Sequence, residues 1–347
     1  MFAPERLGGK YLHWMRRIDA FAHVLPPRYL ARLEAQLEKT MAPAQLEYYR
    51  EGVFRFNPAL TDIDERLRQL EAYGDFRQVL VLAVPPLEEV GPPPVAAEFA
   101  RLANDDMAAL VQAHPERFAG FAAALPLNDV DASIQELDRA VADLGALGAQ
   151  VFTNVNGLPL DDPRFEPLLA HFERLDRTVW LHPTRSAAWP DYAAESRSDY
   201  GLWWSLGWPY ETAAALSRLA YSGLMDRLPR LKVLAHHGAG MVPHFASRLA
   251  MGPGFRQVKD SLPRPPLDYF RRFYADTALF GAPHAVRCVI DFFGPDHVLF
   301  GTDMPLGPPH AVEATIADVE SAGLGAGDLE SVCSGNAKTV LGLAEPA

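Results

Sequence analysis

Short apolar runs alternate along the chain with longer stretches in which apolar residues recur every three or four positions. The runs fall at 17–21, 78–84, 118–124, 149–153, 178–182, 231–237, 273–276 and 298–303 and predict eight β-strands. Between them, Ile134, Leu137, Val141 and Leu144 mark a helical stripe, with Ser133 and Glu136 as a capping box at its start. Phe165, Leu168, Leu169, Phe172 and Leu175 make a second stripe, Leu216, Leu219 and Leu224 a third, and Val286, Val289, Ile290 and Phe293 a fourth. Each stripe precedes a strand. Eight such units predict an α/β fold closed as a (β/α)8 TIM barrel, in a single domain over 1–347 with 1–14 as an N-terminal extension.

Two excursions interrupt the alternation. Residues 25–74 form an insertion after strand 1, helical over 63–70. Residues 183–210 form a long loop after the strand ending at His182, rich in aromatics: Trp189, Tyr192, Tyr200, Trp203, Trp204, Trp208 and Tyr210. Both follow strand C-termini and are therefore expected on the catalytic face, as substrate walls or a subunit interface. Aromatics serve plain loop packing equally well.

Composition narrows the function. A formal charge of −12, with no segment of clustered Lys and Arg, excludes a nucleic-acid surface and leaves small-molecule chemistry. Cys288 and Cys333 alone supply neither a disulfide framework nor a thiolate metal knot. No apolar run of about 18 residues suggests a membrane span. Residues 1–14 lack the apolar core of a signal peptide, so the expected location is cytoplasmic, with Met1 or Met15 as the start.

Four of the predicted strands deliver a titratable residue at or just past their C-terminal ends: His23, His182, the pair His236 and His237, and Asp303. In a closed barrel those ends converge on one mouth. A lone histidine after a strand is ordinarily a hydrogen-bonded core or loop residue, but four such strand ends together point to a metal-centred site. Imidazole and carboxylate suit a divalent zinc or manganese ion, and His23, His182 and Asp303 would leave an open position for substrate. His236 and His237, adjacent in a strand, would point to opposite sides. His237 is assigned acid/base chemistry because Gly238-Ala-Gly240 beside it suggests a tight backbone approach, and His236 is assigned packing. His244 and His310 follow site-bearing strands without a clear role. Arg185 and Arg28 are candidates to fork a substrate carboxylate, although a surface ion pair serves either equally well. Trp189 and Phe21 are candidate substrate contacts.

The stretches Met15-Arg-Arg-Ile-Asp-Ala-Phe-Ala-His-Val-Leu-Pro26, His182-Pro183, Gly207-Trp-Pro-Tyr-Glu-Thr212, His237-Gly-Ala-Gly-Met-Val-Pro243 and Gly301-Thr-Asp-Met-Pro-Leu-Gly307 resemble the aminocarboxymuconate-semialdehyde decarboxylase branch of the amidohydrolase superfamily. The resemblance implies a (β/α)8 barrel with one divalent metal, commonly zinc or manganese, ligated by His182 and Asp303, with His237 as acid/base; zinc is the ion expected here. It also implies non-oxidative decarboxylation of a small carboxylated aromatic or muconate-type substrate, in a protein that is often a homodimer. One departure stands out: the family's first-strand His-x-His is Phe21-Ala-His23 here. The altered ligand set keeps two alternatives open, hydrolysis of a small amide, lactone or ring by a metal-activated water, and a metal-free binding protein on the same barrel. Protein purified without added metal or chelator is expected to carry about one equivalent of zinc or manganese, lost in Asp303→Ala. Elemental analysis checks this, and a metal-free wild type after reconstitution would overturn the metal reading.

Overall fold

The structure is a computed structural model that describes residues 15–252 and 262–343; the expected extension 1–14 lies outside the described residues. Eight strands form one sheet: β1 (Arg17–Val24), β2 (Phe76–Leu82), β3 (Phe118–Ala123), β4 (Gly148–Phe152), β5 (Thr178–His182), β6 (Lys232–Ala235), β7 (Tyr274–Asp276) and β8 (Val298–Leu299). Each pairs in parallel with the next. Ala20 N donates to Phe300 O at 2.8 Å, Asp303 N to Phe21 O at 3.0 Å and His23 N to Met304 O at 2.7 Å, so β1 meets the chain leaving β8 and the ring closes. The TIM-barrel expectation is met.

All eight predicted strands are present, and two of them stop short of the site residues expected on them. The runs 231–237 and 298–303 are strand only over Lys232–Ala235 and Val298–Leu299. Both lose strand geometry where the chemistry sits, since His237 and Asp303 have φ of 53° and 62°. The helical stripes centre on α4 (Val130–Leu144), α5 (Glu166–Arg174), α6 (Gly207–Tyr221) and α7 (Pro283–Phe293), following α1 (Pro27–Thr40), α2 (Ile63–Leu70) and α3 (Pro93–Ala113); Phe165 and Leu175 flank α5, and Leu224 falls past α6 in a separate short helix, Leu224–Arg227. The expected capping box does not form. Asp129 caps α4 one turn earlier by accepting from Ala132 N, and Ser133 Oγ donates to the Pro126 and Asp129 carbonyls. Glu136 instead accepts from Asn104 and Arg139.

Two cores result. Ile18, Phe21, Val79, Val81, Trp180, Leu234 and Leu299 fill the barrel interior, with Val340 and Leu341 packed into the same cluster. The larger core lies between the strands and the outer helices. The two excursions meet each other: Tyr48, from the insertion, packs edge-on against Trp203 of the aromatic loop with ring centroids 5.5 Å apart. Trp180 is fully buried and its Nε1 donates to Ala20 O at 2.8 Å, tying β5 to β1 through the barrel interior. Trp180→Ala is therefore expected to cost roughly 3–5 kcal/mol of stability. Denaturant unfolding measures it, and a loss under about 1 kcal/mol would contradict this placement.

Candidate metal and proton-transfer site

At the C-terminal mouth, the barrel gathers His23, His182, His236, His237 and Asp303. His23 Nε2 lies 3.2 Å from Asp303 Oδ1, His236 Nε2 3.4 Å from the same oxygen, and His237 Nε2 3.3 Å from Asp303 Oδ2. His182 sits edge-on to His23 with ring centroids 5.1 Å apart. Its Nδ1 donates to Pro183 O at 2.6 Å, which leaves the Nε2 lone pair facing outward from that bond. Among the described residues, two groups have ligand atoms within 4.8 Å of one another: His23, His182 and His236, and His236, His237 and Asp303.

Local backbone explains how adjacent histidines share one site. In a continuing strand His236 and His237 would diverge, as the sequence predicts. The strand ends at Ala235, and His237 takes φ 53°, ψ 49°, which turns its ring back so that the two imidazoles stack 3.8 Å apart. Gly238 and Gly240 make this turn. A Cβ on Gly240 would stand 2.4 Å from Pro209 O, and one on Gly238 would stand 2.8 Å from Val289 Cγ2. The tight approach expected at Gly238-Ala-Gly240 is thus present. Left-handed φ at His237, Ala239 and Asp303 marks backbone strain concentrated at the site.

His236 does more than pack. It is sandwiched between His237 and Phe21, whose ring lies 3.7 Å away at an interplanar angle of 9°. Its Nδ1 donates to Asp276 Oδ2, and Asp276 Oδ1 accepts from Gly238 N and Ala278 N. Burial opposes a charge on His236, but Asp276 and Asp303 outweigh it and raise its pKa to about 9. His182 is pushed well down by burial and by the neighbouring imidazoles, and His237 is lowered by burial and by His236. Burial alone would raise Asp303, yet the imidazoles of His23, His236 and His237 facing its two oxygens hold it well below the usual carboxylate range.

Beneath this layer runs a buried polar network absent from the sequence reading. Asp19 accepts from Thr302 N at 3.0 Å, Thr302 Oγ1 at 2.6 Å and Gln78 Nε2 at 3.1 Å. Gln78 Oε1 accepts from Arg66 Nε, and Arg66 Nη1 donates to His23 O at 2.6 Å. Asp276 and Asp19 lie inside predicted strands, so their only sequence signal is a charge at a position a core strand should reserve for apolar side chains.

The candidate substrate contacts separate. Arg185 and Trp189 line a cavity of about 260 Å³ with Glu88, Asn154, Thr184 and Ser186, and the guanidinium stacks over the Trp189 ring at 5.6 Å. Arg185 Nη1 lies 3.4 Å from Glu211. Phe21 is fully buried beneath the histidines. Arg28 is not brought to the site: its exposed side chain pairs with Asp106 on α3, because it sits on the outward first turn of α1. His310 is exposed beside Glu313, and His244 packs on Phe245. Trp208, named only among the loop aromatics, packs against both His182 and His237, and its Nε1 is buried with no hydrogen-bond partner among the described residues.

The amidohydrolase family pattern matches residues 18–343. The chain belongs to the amidohydrolase family. Within it, the chain is 32% identical over 289 residues to the 2-amino-3-carboxymuconate-6-semialdehyde decarboxylase of Dictyostelium discoideum, covering 81% of this chain and 77% of that one. It is 34% identical over 278 residues to the gamma-resorcylate decarboxylase of Rhizobium radiobacter, covering 75% and 80%. Its structure superposes on the dihydroxybenzoic acid decarboxylase of Polaromonas sp. JS666, solved with manganese and the inhibitor 2-nitroresorcinol, at a TM-score of 0.78 and 25% identity over 96% of this chain and 98% of that one. This amidohydrolase is an enzyme of the decarboxylase branch that the motifs resemble.

Glu88 supplies a pH signature for the cavity. Burial pushes its carboxyl up to about 8, and neither oxygen has a hydrogen-bond partner among the described residues. Folded protein keeps that proton while unfolded chain loses it near the ordinary glutamate pKa of about 4.3, so this group removes stability as pH rises from there to about 8. Glu88→Gln is expected to shrink the fall in melting temperature between pH 6 and pH 8, where His236 also contributes a fall. An unchanged slope would show that Glu88 is ionised in the fold.

Proposed function

We propose that this amidohydrolase is a metal-dependent non-oxidative decarboxylase, a carbon–carbon lyase acting on a small carboxylated aromatic. The supporting observation is the convergence of His23, His182, His237 and Asp303 at one barrel mouth, in a chain whose relatives are decarboxylases. The donor set fits a divalent cation: His23 Nδ1 and Nε2 and His236 Nε2 are buried without hydrogen-bond partners among the described residues, beside an ionised carboxylate. Orphaned imidazole nitrogens are costly unless a ligand satisfies them. His23, His182 and Asp303 would hold the ion. When bound, it offsets negative charge on substrate oxygens. Zinc is the ion proposed from the imidazole-rich set, and manganese, bound in the Polaromonas structure, is its competitor.

His237 carries the proton chemistry. It is the histidine of the cluster that reaches the mouth, and its Nε2 faces Asp303 Oδ2, so a proton held between them is available to substrate. Its lowered pKa keeps the resting ring neutral, a base that first takes up a proton from water and then, as imidazolium held against Asp303, gives it to the substrate. Delivery of that proton to the carboxylate-bearing carbon lets the bond to the carboxylate break, its electron pair return to the ring and carbon dioxide leave. Water then reprotonates the donor pair. Trp208 Nε1 offers a donor to a substrate oxygen beside His182 and His237. Wide burial of this layer shields the protonated ring carbon from bulk water while the bond to the carboxylate breaks.

Assembly and location follow as further parts of this reading. Tyr192, Tyr200, Trp204, Leu206 and Tyr210 leave large apolar surface exposed on the segment around 192–210, which supports a homodimer. No helix among the described residues is long and apolar enough to cross a membrane, and both cysteines are free, which supports a reducing, cytoplasmic setting.

The test is carbon dioxide release from 2,6-dihydroxybenzoate and related carboxylated phenols by metal-loaded enzyme. His237→Asn is expected to lower kcat by on the order of 10²-fold or more with little change in metal content. Release of no carbon dioxide from any probe, or an unchanged kcat in His237→Asn, would sink the assignment.

A further inference from the structure

We propose that His236 is itself a metal ligand, replacing the imidazole that the first strand lacks at position 21, so that His23, His182, His236 and Asp303 together hold the cation. The inference rests on the metal-dependent reading above and names a donor which that reading does not need. Phe21 and His236 are stacked neighbours, 3.7 Å apart and nearly parallel, so the imidazole absent from β1 is adjacent in space to the one present after β6. The ligand atoms of His23, His182 and His236 lie within 4.8 Å of one another. A tetrahedral cation with bonds of about 2.1 Å sets its ligands about 3.4 Å apart, close to the separations of Asp303 Oδ1 from His23 Nε2 at 3.2 Å and from His236 Nε2 at 3.4 Å.

The hydrogen bonds of His236 leave one atom for this role. Asp276 takes the proton on Nδ1 and is itself held by two backbone N–H groups, which fixes the ring and directs Nε2 toward the site. A carboxylate behind a histidine is the usual support of a metal-bound imidazole. Nε2 is buried, has no hydrogen-bond partner among the described residues, and faces Asp303 Oδ1 at 3.4 Å. A cation bound there would take the place of the proton that Nε2 otherwise holds toward Asp303, and both atoms would then serve as its ligands. His237 remains outside the donor set, stacked on the other face of His236 and directed to the second oxygen of Asp303. The left-handed turn thus divides labour between adjacent residues, one holding metal and one moving protons.

X-ray absorption spectroscopy on the zinc-loaded wild-type protein is the test, because imidazole scattering counts coordinated rings. Three imidazoles are expected. Two would overturn the proposal while leaving the metal-dependent reading intact, and a wild type that binds no metal would overturn both. Zinc titration of variants gives an independent readout. Asp276→Asn is expected to weaken zinc binding about 10- to 100-fold, and Phe21→His with His236→Phe in one chain is expected to bind zinc more tightly than His236→Phe alone. Unaltered zinc affinity in folded His236→Phe, with folding checked by near-ultraviolet circular dichroism, would overturn the assignment.

Discussion

A single ionised carboxylate organises the mouth of this barrel. Asp303 is buried, yet its two oxygens face His23, His236 and His237, and it stays charged because those imidazoles outweigh the cost of burial. Take the carboxylate away and the imidazoles face one another with nothing to balance a proton or a cation among them. Leaving a buried charge unpaired in this way costs about 3–5 kcal/mol. The same residue is backbone-strained, with φ of 62°, and is held there because its N–H donates to Phe21 O across the seam where the ring of strands closes. Barrel closure and site assembly are therefore one event.

The polar network under the site shows how that seam is kept in register. Asp19 sits in the middle of β1 and collects donors from Thr302, Gln78 and the Phe21 backbone. Through Gln78 it reaches Arg66, delivered by the insertion, and Arg66 returns to the carbonyl of His23. Burial lifts Asp19 to about 6 despite four hydrogen bonds, so the network trades solvation for geometry. The insertion after strand 1 is thus more than a flank of the mouth: one of its helices supplies the guanidinium that fixes the backbone of His23.

Much of the fold was legible because barrel strands and outer helices bury different patterns. Runs such as 178–182 are buried from end to end, while α7 buries Val286, Val289, Ile290 and Phe293 on one face. Titratable residues at strand ends were legible for the same reason, since a polar group ending an apolar run has no packing purpose. What misled was local reasoning applied where tertiary contacts win. Ser133 and Glu136 have capping-box spacing, but Asp129 is available upstream and Asn104 and Arg139 claim Glu136. Arg28 lies five residues beyond a candidate ligand, but the first turn of α1 turns it outward to Asp106.

By itself the sequence determined the barrel, the order in which its strands deliver His23, His182, the histidine pair and Asp303, and the loss of an imidazole at Phe21. These are one-dimensional facts, carried by periodicity and by residue identity. Only the tertiary structure decided that His236 and His237 face the same way, that Asp276 and Asp19 stand behind the site, and that Arg185, not Arg28, lines a cavity. Each of those depends on backbone dihedrals at a strand end or on partners tens to hundreds of residues away, which local pattern does not specify.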